Sequence, residues 1–318
     1  MKLSILDQAP IAQDTTPKDA LFQSVHLAQL GERLGYHRYW IAEHHDLNGL
    51  ACPAPEVMLG AIGMNTDRIR IGAGAVLLPH YKPFKVAESF NLLATLYPGR
   101  IDLGIGRSPG GPAEASIALS GNFLENVRKM PEEIDELLHF LYQDFPKDHM
   151  FSKVKPTPVP DLAPVPWLLG TSDKSAVLAA KKGMHYAFGH FMSDQDAAPI
   201  LTTYRNIFKE EYPDKEARII MAVSIYCAKT TEEAEQLALE SFMWGKLKKV
   251  MTALSQEEQE EFHEARQKMI IGNQAEVKEA LMELQEVHMV DEFMILTNTP
   301  SYETRNKSYE LIAEAILD

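Results

Sequence analysis

The sequence predicts an α/β protein, a (β/α)8 TIM barrel closed by parallel strands. Three observations predict it. Strand-like and helix-like blocks alternate along all 318 residues, and that alternation builds parallel sheet because each helix carries the chain back across it. The strand-like blocks number eight, which is the count that closes a barrel of this kind. Several are continuous apolar runs, as strands buried on both faces require.

The strands are expected at residues 2–7, 37–42, 69–77, 100–105, 166–170, 185–189, 218–228 and 290–297. Between them, apolar residues recur at helical spacing and mark inward faces. Met130, Ile134, Leu137, Leu138 and Leu141 form one stripe, and Ile200, Tyr204, Ile207 and Phe208 another. Ala234, Leu237, Ala238 and Phe242 repeat the pattern behind Thr230, whose hydroxyl and the Glu233 carboxylate suit a capping box. Val277, Ala280, Leu281 and Leu284 give a further helix, and Tyr309, Ile312 and Ile316 the last. These stripes are core signals and carry no chemistry.

Two segments break the rhythm. Residues 142–166 contain Pro146, Pro156, Pro158, Pro160, Pro164 and Pro166 and read as an extended excursion. Residues 243–272 form a longer insertion before the last strand, with a charged run at 256–264 opened by a Ser255/Glu258 capping box. It reads either as a mobile lid over an active site or as a solvated surface helix. The chain, 1–318, is expected to be one barrel domain carrying that insertion.

A net charge of −14 makes the average surface repel phosphate backbones and anionic lipid, which argues against nucleic acid as a partner. An anionic ligand would then need a local cation and well-aimed backbone N–H groups. The two cysteines, Cys52 and Cys227, suggest neither a disulfide framework nor a zinc set. The apolar stretch before Asp7 is too brief for a signal-peptide core, and no window approaches a membrane span. A cytoplasmic protein is the expectation.

In this barrel class the chemistry sits at the C-terminal ends of the strands. The second strand ends in Glu43, His44, His45 and Asp46; the third runs through Gly72, Ala73, Gly74 and Ala75. The fourth ends in Gly104, Ile105, Gly106, Arg107 and Ser108, and the fifth in Gly170, Thr171 and Ser172. Glu43 to Asp46 looks like a metal cluster, but side chains alternate along a strand, so these four cannot clasp one ion together. No metal is expected. A histidine titrates near neutrality, so His44 and His45 are acid/base candidates, with an ordinary hydrogen-bonded histidine the plain alternative for each. Gly104 and Gly106 fail the dinucleotide fingerprint because Pro109 stands where the third glycine belongs. Arg107 beside Gly110 and Gly111 suits a phosphate or a flavin edge, or else stabilises its own turn. Thr171, Ser172 and Ser175 open a helix whose N-terminus favours an anion; simple capping by Ser172 is the alternative.

Taken in order, AEHH at 42–45, IGAGAVLLPHYKP at 71–83, LYPGRIDLGIGR at 96–107, PWLLGTS at 166–172 and TNTPSYETRNKSYELIAEA at 297–315 resemble the bacterial luciferase-like flavin-dependent monooxygenases. The resemblance covers nearly the whole chain. It implies a (β/α)8 barrel, a homodimer, and FMN, or in one branch the deazaflavin F420, bound at the C-terminal mouth. It implies His44 as the catalytic acid/base with Glu43 and His45 beside it, and Gly74–Ala75 as a non-proline cis peptide against which the flavin ring packs. Arg107 and Arg128 match basic residues near the FMN phosphate, and Ser172 and Ser175 match contacts at the helix terminus. Thr171 stands where the family pattern has an acidic residue.

The chemistry so implied takes reduced FMN from a separate flavin reductase, uses O2, and transfers one oxygen atom to a small organic substrate. Two other readings stay open: a non-catalytic FMN-binding or storage protein on the same barrel, and a metal-dependent barrel hydrolase using His44, His45 and Glu43.

Overall fold

The computed structural model describes residues 1–247 and 255–317. Nine parallel strands follow one another: β1 (Lys2–Asp7), β2 (Arg38–Ile41), β3 (Arg70–Leu77), β4 (Ile101–Gly106), β5 (Val165–Gly170), β6 (His185–Gly189), β7 (Ile219–Cys227), β8 (Met269–Gly272) and β9 (Glu292–Leu296). Strands β1 to β7 pair with their sequence neighbours, and β9 closes the cylinder between β7 and β1. The eight predicted strands are the eight of the barrel.

Strand β8 is the addition. It falls inside the 243–272 insertion and pairs with the C-terminal part of β7, from Ser224 opposite Met269 to Cys227 opposite Gly272. The sequence hides it because four apolar residues after a charged helix fit a helical stripe as well as a strand. The rest of the insertion is the end of α8 (Thr231–Leu247) and α9 (Gln256–Arg266), with residues 248–254 outside the described residues. Ser255 and Glu258 do form the expected capping box. Phe262 of α9 packs with Met269 and Ile271 against Tyr226, Leu237 and Ala238, a small apolar cluster separate from the main core.

The remaining helices clothe the barrel: α1 (Pro17–Leu34), α2 (Pro55–Met64), α3 (Pro83–Leu96), α4 (Ala113–Ser120), α5 (Phe123–Tyr142), α6 (Asp173–Lys181), α7 (Ala197–Glu211), α10 (Gln274–His288) and α11 (Tyr302–Ile316). Of the stripes read, Met130, Ile134, Leu137 and Leu141 on α5 and Ile200, Tyr204 and Phe208 on α7 are buried, Leu138 and Ile207 are half-buried, and Leu201 joins the buried face of α7. Helix α1 starts where Thr16 and Asp19 close a capping box ahead of Pro17, and stops at Gly35 in the left-handed region (φ 85°).

Alternate side chains along each strand enter the barrel, and they stack in layers. A middle layer contains Leu6, Trp40, Trp167, Ala187, Ile220, Ala222 and Met294. Beneath it, at the N-terminal ends of the strands, lies a charged layer. Arg38 is 3% exposed and Asp102 fully buried. Nη1 of Arg38 donates to Asp102 Oδ2 at 2.6 Å, and its Nε and Nη2 donate to the two Glu292 oxygens at 2.5 and 3.0 Å. Arg70 reaches Asp102 Oδ1 at 2.5 Å, the Trp40 indole donates to Asp102 Oδ2 at 3.1 Å, and Ser4 donates to Glu292 at 2.6 Å. Five strands are tied through these side chains.

Burial alone would raise the Asp102 carboxyl; the Arg38 and Arg70 guanidiniums more than offset it and hold it below its ordinary value. A carboxyl lowered in the folded state adds stability at neutral pH, and that contribution is lost as pH falls through the acid range. Asp102→Asn should therefore cost about 3 kcal/mol by urea unfolding at neutral pH, because buried Arg38 is left with Glu292 alone and half-buried Arg70 loses its counter-charge. The loss of stability on acidification should also be shallower in the variant.

Candidate active site

The C-terminal ends of all eight barrel strands surround one cavity of about 470 Å³, within the range of about 300–1,000 Å³ typical of small-molecule sites. Its floor is the top of the middle layer, where Leu6, Trp40, Ala222 and Met294 present apolar surface. Glu43, His44, Gly74, Ala75, Arg107 and Thr171 line its walls, together with Gln8, Ser108, Leu169, Phe191 and Met192.

The wall formed by β3 and β4 owes its shape to glycine. A Cβ on Gly104 would stand 2.1 Å from the Ala73 carbonyl oxygen, and one on Gly72 would stand 2.7 Å from that of Asp102. The two strands lie too close for side chains there. Their register shifts between Ala73 and Val76, and the Gly74–Ala75 peptide within that shift is cis, as the resemblance implies. At Gly74, Ala75 and Gly106 this wall offers nothing larger than a methyl group, so a flat ligand can approach the backbone there.

On the β2 side, strand alternation puts Glu43 and His45 together. Glu43 is 3% exposed, and its Oε1 lies 2.7 Å from His45 Nε2 and accepts from the Tyr81 hydroxyl at 2.8 Å. Its Oε2 accepts from the Leu77 N–H at 3.1 Å. His45 is buried behind Glu43 and does not line the cavity. His44 does, with its own N–H donating to the Cys52 carbonyl at 3.0 Å and its Nδ1 buried without a partner. Burial pushes the His44 ring below its ordinary value; Glu43 pulls it back up and His45 pushes it further down. Burial thus disfavours the charged form of the ring.

Arg107 follows β4. Its side chain is exposed, lines the cavity and has no hydrogen-bonded or ion-paired partner among the described residues. The turn behind it is rigid: Gly110 has φ 69° and accepts from the His45 N–H at 2.8 Å, while a Cβ on Gly111 would stand 2.0 Å from the His45 carbonyl oxygen. The His80 ring lies 2.9 Å from the Pro109 carbonyl and 3.0 Å from the Ser120 hydroxyl, pinning the turn to α4.

After β5, Thr171 reaches the cavity, but Ser172 and Ser175 do not line it. Ser175 donates to the Ser172 carbonyl at 2.6 Å, accepts from the Ser172 N–H at 3.2 Å and lies 2.9 Å from the Tyr186 hydroxyl. That hydroxyl is saturated within the fold. Arg128 lies exposed on α5, away from the cavity lining. Among the described residues no three His, Cys, Asp or Glu side chains are grouped to hold a metal ion, and no helix is long and apolar enough to cross a membrane.

Several lining residues escaped the sequence reading. Phe191 and Met192 come from the turn after β6, and Tyr81, inside the run at 71–83, stands behind Glu43 and off the lining. Trp40 read as an ordinary strand residue.

The model of the family described as "Luciferase-like monooxygenase" matches residues 1–310. The chain belongs to the luciferase-like monooxygenases. N-acetyl-S-alkylcysteine monooxygenase of Bacillus subtilis is 37% identical, over 100% of this chain and 98% of its own length. Among solved structures, apo-MsnO8 superposes with a TM-score of 0.88 at 32% identity, covering 99% of this chain and 98% of the other. Two barrels at 18% identity share the fold and hold different cofactors. One is the oxygenating constituent of 3,6-diketocamphane monooxygenase from Pseudomonas putida in complex with FMN, with TM-score 0.77 over 99% of this chain and 97% of that one. The other is an F420-dependent secondary alcohol dehydrogenase, with TM-score 0.73 over 100% and 99%. This luciferase-like monooxygenase is an enzyme.

Proposed function

We propose that this enzyme binds reduced FMN at the mouth of the barrel and uses O2 to oxygenate a small organic substrate. The observation that carries the reading is a single cavity in which His44 and an unpaired Arg107 flank a wall of glycine and alanine. The residues fit the cofactor. The Gly74–Ala75 wall accepts a flat ring, the Arg107 fork is free for a phosphate, and the Thr171 end of β5 lies beside the N-terminus of α6. Thr171 stands at the phosphate end in this scheme, whereas Ser172, Ser175 and Arg128 lie outside the lining.

When bound, reduced FMN supplies two electrons to O2, so that one oxygen atom enters the substrate and the other leaves as water. The protein's own part is positional. The apolar floor and the Leu169, Phe191 and Met192 wall keep water from the reacting atoms and suit a substrate with a hydrocarbon body. His44 gives or takes a proton at Nε2, burial favouring the neutral form of its ring. Glu43 and His45 support it from behind. A flavin reductase supplies the reduced cofactor, and F420 is the competing occupant.

Two variants separate binding from chemistry. Arg107→Ala should weaken FMN binding at least about tenfold, as loss of a charge-assisted phosphate contact does, while riboflavin, which lacks the phosphate, binds as before; fluorescence titration of both ligands, with F420 alongside, measures this. His44→Ala should leave FMN affinity near that of the parent and abolish transfer of label from 18O2 into a panel of sulfides, ketones and aldehydes followed by mass spectrometry. Undiminished transfer in that variant removes His44 from its role, and binding of FMN with no transfer by the parent chain favours storage.

We also propose a homodimer. Val57 and Met64 on α2 and Leu92 and Leu96 on the adjoining α3 leave large apolar side chains exposed on one side of the barrel. Leu96→Glu should halve the mass measured by light scattering, from two chains to one.

A further inference from the structure

We propose that Gln8 orients the substrate in this cavity, held by Asn298 so that its amide N–H2 group donates to the carbonyl oxygen of a small, neutral molecule with a hydrocarbon body. The proposal rests on the flavin reading for one point, that the wall of β3 and β4 belongs to the cofactor. It names the chemistry that suits the other half.

The two halves of the cavity differ in kind. The titratable lining residues, Glu43, His44 and Arg107, all follow β2 and β4. From β1, the residue after it, β7 and β9 come Leu6, Gln8, Ala222 and Met294, so Gln8 is the one polar side chain of this half among the described residues. An apolar bed with a single neutral donor suits a molecule with one acceptor. A carboxylate there would lie buried without a cation, because Arg107 stands three strands round the barrel.

Gln8 is built into place. Asp7 points outward, where its Oδ1 accepts from the Ala9 N–H at 2.7 Å and from Arg305 Nη1 at 3.1 Å, and its Oδ2 accepts from the Tyr39 hydroxyl at 2.5 Å. These bonds tie the end of β1 to β2 and α11, and strand alternation then turns Gln8 inward above Leu6. Ala9 follows in the left-handed region (φ 51°), its carbonyl accepting from the Ala51 N–H at 3.0 Å.

Asn298 follows the adjoining strand β9 and is held between two anchored threonines. The Thr297 hydroxyl donates to the Ile225 carbonyl at 2.7 Å, and the Thr299 hydroxyl to the Ser301 carbonyl at 2.6 Å. Asn298 Nδ2 donates to Gln8 Oε1 at 2.5 Å. Asn298 is not part of the lining, so the bonded edge of the Gln8 amide faces away from the cavity. The other edge carries Nε2, which has no partner among the described residues, and faces in. A planar amide fixed at one end offers its donors in one direction, so little side-chain freedom is lost when a carbonyl arrives.

The test uses 2-heptanone, with 1-chlorohexane as a probe of similar length lacking the carbonyl and heptanoate as an anionic counterpart, on both the cofactor-free and the FMN-loaded chain. Affinity is read by ligand-observed nuclear magnetic resonance, and the bond by infrared difference spectroscopy of the 13C-labelled carbonyl. The parent should bind 2-heptanone more tightly than heptanoate. Gln8→Met keeps the length of the side chain and removes its donors; it should weaken 2-heptanone about fivefold, the size of one neutral hydrogen bond, raise the carbonyl stretch frequency and leave 1-chlorohexane as before. Gln8→Glu keeps the acceptor for Asn298 and should lose at least as much ketone affinity, and it decides the matter if Gln8→Met does not fold. Asn298→Ala should weaken the ketone about threefold, the cost of immobilising a side chain that the parent holds ready.

No binding of 2-heptanone by the parent, or unchanged affinity in both Gln8 variants, overturns the proposal. An equal loss for the two neutral probes also overturns it, since that marks a packing role. Heptanoate bound more tightly than the ketone overturns the choice of a neutral carbonyl, and parent-like ketone affinity in Asn298→Ala overturns the holding role. Absence of FMN binding by the parent sinks the flavin reading, while a ketone response that depends on Gln8 in the cofactor-free chain leaves this assignment standing.

Discussion

The structure depends on one buried guanidinium. Arg38 enters the barrel from β2 almost fully buried, so the fold is stable only if carboxylates meet it there. Asp102 arrives from β4 and Glu292 from β9, and each reaches Arg38 only when its own strand is in register. The Arg38 fork engages Glu292 through two nitrogens and Asp102 through a third, which leaves little freedom of angle. The guanidinium also lies 4.8 Å from the centre of the Trp167 ring, adding a cation–π contact from β5. A slip of one residue in any of these strands would turn the partner outward. By fixing the strand starts, the network sets the level at which the strand ends open.

Above that layer the barrel changes character. The middle layer is filled by two tryptophans in edge contact, 5.6 Å between ring centres, and the space above them is left open because β3 and β4 contribute glycine at inward positions. Gly72, Gly74, Gly104 and Gly106 each meet a neighbour within 3.0 Å of where a Cβ would be. Close approach of these strands and emptiness of the mouth are two results of one sequence feature. The same residues that let the backbones touch leave a bare wall above.

The barrel was legible because its signal is local. β1 and β6 begin and end where apolar patterning places them, and the other six differ by a residue or two where a turn residue pairs or fails to pair. Strand β8 was not legible, since its existence depends on β7 running past the reach of β6 to offer Ser224–Cys227 as a partner. Distance along the chain hid the charged layer in the same way. Arg38, Asp102 and Glu292 read singly as strand-edge charges, and nothing in the sequence announces contacts across 64 and 254 positions. At the site, strand alternation correctly grouped Glu43 with His45, while the donor from Tyr81, 38 residues on, required the folded chain. The serines after β5 show the converse: Ser172 and Ser175 carry the right chemistry for an anion, yet Ser175 spends its hydroxyl on Ser172 and Tyr186.

The two ends of the cylinder differ in how their charges are balanced, and that difference locates function. At the closed end every guanidinium inside the barrel has its carboxylate. At the open end the Glu43 carboxylate is fully engaged, whereas the Arg107 fork and the His44 Nδ1 have no partner among the described residues. Leaving the buried His44 Nδ1 unmet costs desolvation energy. In a chain of net charge −14, an unpaired cation beside an apolar cavity is also an exception to the surrounding field. A ligand with an anionic end and a flat apolar body would meet both conditions at once, pairing with Arg107 while covering the glycine wall beside His44.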